Sequence, residues 1–362
     1  MAVLNEEQSM LRDAAKSWTQ EKSPVTAFRK MRDSGVDVGY DAAAWNEMAE
    51  MGWAGVIIPE EYGGSDFGYL SIGLILEELG RTLTASPLLV SAVGAASALV
   101  LGGSDAQKSE WLPKIAEGTA VGALAVDEGA HHNPSKVDTT FSGGKITGKK
   151  TFVLEGFKAD VLIVSAKGPD GVGFYLVRGD DAGVSRTRLA LADSRGAANI
   201  EFKGAAAEPL TGGAEVVEKV LDRVRAALSA EMLGAAVQAF EVTLDYLKVR
   251  VQFGQVIGSF QALQHRAAKM FTDLELARSA VEAALQAIDA GTPDVPELVS
   301  LAKAKMGDTF HLVSNEMVQM HGGIGMTDAH DAGFYLKRAR ACEAAFGSQS
   351  YHRDRYAKIQ GY

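Results

Sequence analysis

The 362-residue chain carries 36 Lys and Arg against 46 Asp and Glu, a formal net charge of −10, and 47% of its residues are hydrophobic. That length allows two or three packed units with sizeable cores, and the acidic balance argues against a nucleic-acid footprint, which needs clustered Lys and Arg. A lone cysteine, Cys342, excludes an internal disulfide framework and a Cys-based zinc cage. Apolar runs such as Leu99–Leu101 and Val161–Val164 fall far short of the roughly 18 residues a membrane span needs.

The chain opens on Asn5-Glu6-Glu7-Gln8, with no basic patch followed by an apolar run. No secretory signal is expected there, and the expected location is the cytoplasm. Apolar residues recur at helical spacing through Glu6–Thr19, Ala42–Met51 and Leu70–Leu83, so residues 1–118 read as a helical domain. Short runs rich in β-branched residues follow between glycine turns: Thr139–Phe141, Val161–Val164, Phe174–Val177 and Asn199–Phe202. These make residues 119–209 a small, barrel-like β domain. From 210 to 362 the helical pattern returns, first as one run from Ala214 to Phe253, which as a helix spans roughly 60 Å. Further helices are expected over Phe260–Ala290 and Pro296–Gln319, with a last one after Asp331. The fold class is therefore α+β and multidomain: helices, a β domain, then a long four-helix bundle. The bundle helices are too apolar to stand alone, so oligomerisation is expected to cover them.

Two segments carry candidate chemistry. In Arg250-Val251-Gln252-Phe253-Gly254, an arginine and an aromatic at i, i+3 of a helix present a phosphate-pairing fork beside a stacking surface. Phe260 and Gln261 follow shortly after. In Gln319-Met320-His321-Gly322-Gly323-Ile324-Gly325, three glycines near a helix end leave backbone N–H groups open to close approach by a pyrophosphate. The bland alternative for Gly254 and Gly322 is a helix C-cap. Asp222 and Arg225 form an i, i+3 pair that also suits a plain surface ion pair. His131 and His132 sit in a loop with no recognised metal-ligand spacing and read as solvated, so no metal is expected.

The order and spacing of these segments closely resemble the acyl-CoA dehydrogenase family, whose C-terminal domain carries R-x-x-F-G, F-Q-x-x-Q and Q-x-x-G-G-x-G. Trp45–Trp53, Ile58–Gly64 and Glu77–Arg81 look like that family's first domain, and the three-part architecture is its fold. The resemblance implies that Arg250, Phe253, Phe260, Gln261, Gln319, Met320, His321, Gly322 and Gly323 hold the ADP half of an FAD bound mainly by a neighbouring protomer. It also implies that Asp222 and Arg225 meet the thioester of an acyl-CoA, and that electrons leave to an electron-transfer flavoprotein.

The family's reaction needs a carboxylate to take the proton α to the thioester. Where most members read E-G-T, this chain has Phe346-Gly347-Ser348; the alternative position in the long helix is Val224. Both usual base positions are empty, so no catalytic residue is assigned. The flavin-ring contacts also differ, with Asp127-Glu128 in place of T-E and Phe152-Val153-Leu154 in place of W-I-T. The pattern resembles the glutamate-lacking subunit of actinobacterial heterotetrameric acyl-CoA dehydrogenases acting on steroid side-chain CoA esters. It implies a homologous, glutamate-bearing partner subunit. Two alternatives stay open: a homotetramer with a displaced base, for which Glu343 and Glu231 are candidates, and a flavin monooxygenase on the same fold.

Overall fold

The computed structural model describes residues 4–362, and its chain divides into two compact units. The first comprises residues up to Phe28, Gly73–Thr84 and Leu228–Tyr362; the second comprises Arg29–Ile72 and Ala85–Ala227. A helical N-terminal region, a β-barrel-like middle and a helical C-terminal region follow one another along the chain, as the sequence predicts.

Helices α1 (Glu6–Lys22), α2 (Val25–Ser34), α3 (Ala42–Glu50) and α4 (Gly68–Arg81) come first. Asn5 caps α1 through a reciprocal pair with Gln8, which satisfies two otherwise orphaned N–H groups. The apolar stretch Leu88–Ala95 winds as a π-helix, buried at every residue, and runs directly into α5 (Ala96–Gly102). Helix α6 (Asp105–Ala116) starts at a second such capping box, Ser104 with Gln107.

The second unit holds strands β1 (Gly122–Ala125), β2 (Thr140–Ser142), β3 (Lys145–Leu154), β4 (Val161–Gly168), β5 (Gly171–Arg178), β6 (Val184–Ala190) and β7 (Gly196–Pro209). Strand β4 pairs with both β2 and β5, and the 14-residue β7 pairs with both β3 and β5. The ring β4–β2–β3–β7–β5 therefore closes on itself, with β1 beside β4 and β6 beside β7. Closure removes the open edges of those five strands. Inward-facing Ile146, Leu162, Val164, Val177, Ile200 and Phe202 fill the interior, each large apolar side chain contributing roughly 1.5–3 kcal/mol by burial. Ser91 of the π-helix accepts a hydrogen bond from the Gly122 N–H of β1 at 2.9 Å.

Helix α7 (Gly213–Val249) runs 37 residues, about 55 Å, and ends four residues before the expected Phe253. Strands β8 (Val251–Gln252) and β9 (Gln255–Val256) follow as a tight hairpin, then α8 (Gln261–Ala290), α9 (Val295–His321), α10 (Ala332–Ala344) and α11 (Gln349–Ile359). None of the helices of the described residues is long and apolar enough to cross a membrane.

In the first unit the C-terminal parts of α4 and α7 cross at backbone contact. A Cβ on Gly80 would lie 2.0 Å from the Glu231 carbonyl oxygen, and one on Gly234 would lie 1.7 Å from that of Glu77. Neither neighbour is a movable side-chain tip, so the crossing depends on both glycines. Gly234→Ala is expected to cost at least the roughly 1–3 kcal/mol of an overpacked core, read as a lowered unfolding midpoint in denaturant. An unchanged midpoint would show that the helices separate at no cost.

Candidate functional site

The hairpin after α7 alters the geometry expected of the first motif. Arg250 donates its N–H to Tyr246 O at 2.9 Å, the last helical bond, and its carbonyl accepts from Ile257 N at 2.8 Å. Gln252 pairs with Gln255, leaving Phe253 (φ 55°) and Gly254 (φ 81°) as a two-residue turn. Positive φ at both central residues matches the right-handed twist of a hairpin. Arg250 and Phe253 are therefore not on one helix face, and Gly254 is a turn residue instead of a helix cap. The β-branched Val251 and Val256 favour strand geometry over another helical turn. Phe253 is 90% exposed, with its ring 6.2 Å from that of Phe260, edge to face. Gln261 is exposed at the start of α8.

The second motif closes α9. Gly322 is the C-cap at φ 62° and ψ −138°, a conformation suited to glycine, and donates its N–H to Gln319 O. Gln319, Gly322 and Gly323 are exposed, whereas Met320 and His321 are buried. His321 donates Nδ1–H to Met317 O at 2.7 Å and packs its ring 4.3 Å from both Tyr246 and His330. Burial, outweighing the Met317 bond, pushes its pKa down. Tyr246 lies one turn before Arg250, so this contact brings the two motifs to the same end of the first unit. The exposed Arg250, the aromatic tip at Phe253 and the glycine backbone at 322–323 fit the phosphates and ring of an ADP group. The motif residues Met320 and His321 offer packing behind that surface.

The loop at the usual base position keeps an unusual backbone. Phe346 has φ 55° and Gly347 φ 110°. The buried Lys303 donates Nζ to Cys342 O at 2.9 Å and Gly347 O at 3.0 Å, and the buried His352 contacts Phe346 O through Nε2 at 3.1 Å. A cation at the end of α10 also suits the negative end of the helix dipole. The loop is fully supported yet ends in a phenyl ring that is 7% exposed. Val224 is 0% exposed and packs near Gly94 of the π-helix. Neither alternative carboxylate is free: Glu231 bonds Arg338 at 3.0 Å, and Glu343 bonds Arg340 at 2.8 Å and His311 at 3.0 Å.

In the second unit, Asp222 and Arg225 are no surface pair. Both are buried, Arg225 completely. Its guanidinium donates to Asp222 at 3.0 Å, to Glu218 at 3.1 Å and to His132 Nε2 at 3.0 Å. His132 is not solvated either: its side chain is 2% exposed, and Nδ1 lies 2.9 Å from Asp127. Loop position and absent metal spacing gave no signal of this network.

Beside it, the fully buried Lys150 donates to Glu128 at 2.6 Å, to Ser165 at 2.9 Å and to Val126 O at 3.0 Å. Burial pushes the Lys150 pKa down. Burial alone would raise Glu128, but hydrogen bonds from Lys150, Asp138 and Thr139 outweigh it and hold the carboxyl below its usual range. Phe152 leaves the ladder at a bulge between Lys150 and Val153; it has φ 51°, stands 53% exposed and donates its N–H to Asn199 at 3.2 Å. Asp127 and Glu128 thus serve the unit's own interior.

The chain matches the acyl-CoA dehydrogenase N-terminal domain over residues 5–119 and the C-terminal domain over residues 211–360. It is 31% identical to acyl-CoA dehydrogenase IpdE2 of Mycobacterium tuberculosis, over 92% of this chain and 91% of that one. It is 29% identical to acyl-CoA dehydrogenase FadE27 of the same organism, over 85% of each. Among solved structures, a variant of the Tcur3481–Tcur3483 steroid ACAD superposes with a TM-score of 0.92 at 29% identity over 98% of each chain. The ChsE4–ChsE5 complex from Mycobacterium tuberculosis gives 0.92 at 26% over 100% of each.

Lys150→Met strands the Glu128 carboxylate, and removing one partner of a buried pair costs about 3–5 kcal/mol. The expected result is a large fall in unfolding midpoint near neutral pH. Because Glu128 is held below the 4.5 it has when free, its contribution is complete above that pH and fades as pH falls through the folded value. The deficit of Lys150→Met relative to wild type should therefore shrink in acid; a deficit independent of pH would refute the pairing.

Proposed function

The chain belongs to the acyl-CoA dehydrogenase family, oxidoreductases acting on acyl-CoA thioesters with FAD as cofactor, and within it we propose that this chain is the non-catalytic subunit of a heterotetramer. Two such chains would join two homologous, glutamate-bearing chains in the cytoplasm. The observation that carries this reading is Phe346, which stands where the base is expected in a loop whose other supports are intact. A catalytic site lost by general decay would not keep Lys303, His352, Phe346 and Gly347 in so demanding an arrangement.

Arg250 and Phe253 would grip the ADP half of an FAD whose ring lies in the partner subunit, with Gln261, Gln319, Gly322 and Gly323 around it. Bound FAD supplies the acceptor for a hydride from the β carbon. This chain's own residues do no proton transfer; they bind and orient the cofactor's distal end. The partner's glutamate would take the α proton, yielding the 2-enoyl-CoA. The names of the steroid ACAD and of the ChsE4–ChsE5 complex support a two-chain assembly, and the first of them supports a steroid-derived acyl-CoA substrate, with a fatty acyl-CoA as the alternative. An electron-transfer flavoprotein is the proposed acceptor. A homotetramer with a displaced base is less favoured, because Glu231 and Glu343 are each committed to ion pairs.

Co-expression with a glutamate-bearing homologue should yield a yellow complex, and the chain alone should hold little flavin. A flavinated homotetramer that oxidises acyl-CoA would overturn the reading. In the complex, Arg250→Ala removes a charge-assisted phosphate contact worth roughly 1.5–3 kcal/mol, so FAD affinity should fall about ten- to hundredfold. Phe253→Ala should lower it without lowering the unfolding midpoint of the apoprotein, since that side chain is 90% exposed. Unchanged flavin affinity in both variants would remove the ADP site.

Phe346→Glu supplies the missing carboxylate in its usual loop. Tested in a complex whose partner has lost its own glutamate, it should not restore acyl-CoA turnover with a dye acceptor, because Asp127, Glu128 and Phe152 do not form a flavin-ring pocket. Recovered turnover would favour a site that lacks only its base.

A further inference from the structure

The network around Arg225 fixes the state of His132 by elimination. A guanidinium has only donors, so the 3.0 Å contact from Arg225 requires a lone pair on His132 Nε2. A carboxylate has only acceptors, so the contacts of 2.9 and 3.0 Å to Asp127 require the proton on Nδ1. His132 is therefore the neutral Nδ1–H tautomer, held between the loop after β1 and helix α7. The same Asp127 carboxylate accepts the Asn133 N–H at 3.2 Å, which folds the loop back on itself. The charged groups facing His132 include Asp127 from the loop and Arg225 and Glu218 from α7, with Asp222 on the far side of Arg225.

A proton on Nε2 turns the acceptor into a donor, and an imidazolium then faces a guanidinium in a site without solvent to screen them. The contact cannot persist. Arg225 keeps Asp222 and Glu218, so release falls on the loop and not on the helix.

We propose that His132 is a proton-operated latch: when neutral it pins the 130–133 segment to α7 and keeps Asp222 and Arg225 shut inside the unit, and when protonated it lets that segment leave Asp127 and α7, while residues 127–129 stay anchored through Thr151 and Lys150. The pair that would otherwise meet a thioester is thus covered by a side chain of the same unit, and the seat opens only in acid. Burial is the main force lowering the His132 pKa below 6.5, with Arg225 adding to it against the opposing pulls of Asp127 and Glu218. The open loop regains the ordinary value of about 6.5. Opening therefore grows as pH falls below that value, and levels off once the closed form is protonated as well.

The latch deepens the subunit reading, on which its biological sense rests, but its test stands apart. Imidazole nitrogen NMR of the 362-residue chain, in whichever assembly it purifies, should show His132 as the neutral Nδ1–H tautomer at pH 7.5, titrating below 6.5. Hydrogen exchange at the Asn133 amide, corrected for intrinsic rates, should rise about tenfold per pH unit across the window between the two pKa values. His132→Gln cannot gain the proton, so its exchange should lose that pH dependence. An Nε2–H tautomer, titration at or above 6.5, or loop exchange indifferent to the titration would each overturn the latch. Should the latch behave as stated in a chain that oxidises acyl-CoA alone, the latch stands and the subunit reading falls. A yellow complex whose His132 titrates normally gives the reverse.

Discussion

Arg225 has no exposed surface, and a buried guanidinium must find acceptors from within or destabilise the unit that contains it. Much of the second unit's polar interior follows from that need. Asp222 and Glu218 come from the same helix, one and two turns away, and the last acceptor comes from a loop more than ninety residues earlier, through His132. To reach it, the loop must leave β1 through Asp127, which orients the imidazole, and must return past Glu128, which is tied to Lys150. Two adjacent acidic residues thus anchor one loop at two depths, and the positions expected to face a flavin are used to hold the structure together.

How much of this was legible depends on whether a residue's role is set locally. The long helix was visible because apolar spacing repeats over many turns, and the barrel because β-branched runs alternate with glycine turns. The end of α7 was misplaced because Val251, Phe253 and Val256 continue an apolar rhythm compatible with a helix, while the turn rests on positive φ at Phe253, which a phenylalanine rarely adopts. The burial of His132 and Arg225 was invisible for another reason. An i, i+3 acid–base pair looks the same on a surface as in a core, and the third member lies far away in sequence. Lys150 likewise resembles any strand lysine until Val126, Glu128 and Ser165 surround it.

The candidate site was legible where it is made of backbone signals and exposed tips: Gly322 at the end of α9, Arg250 after α7, Phe253 in its turn. The sequence also places Phe346 where the resemblance expects a glutamate. Only the structure shows that Phe346 occupies a left-handed backbone position buttressed by Lys303 and His352. In the proposed reading, a phenyl ring stands where a carboxylate would be aimed, on a backbone held by Lys303 and His352.

The hairpin after α7 bears on the life of the chain in the cell. Val251, Phe253 and Val256 place three exposed apolar side chains on a two-stranded ribbon too small to be stable by itself, and Val249 at the end of α7 is exposed just before it. Until something covers it, that segment offers what chaperones and proteases recognise in an incomplete protein. A surface that covered the ribbon would withdraw those side chains from water and remove that liability.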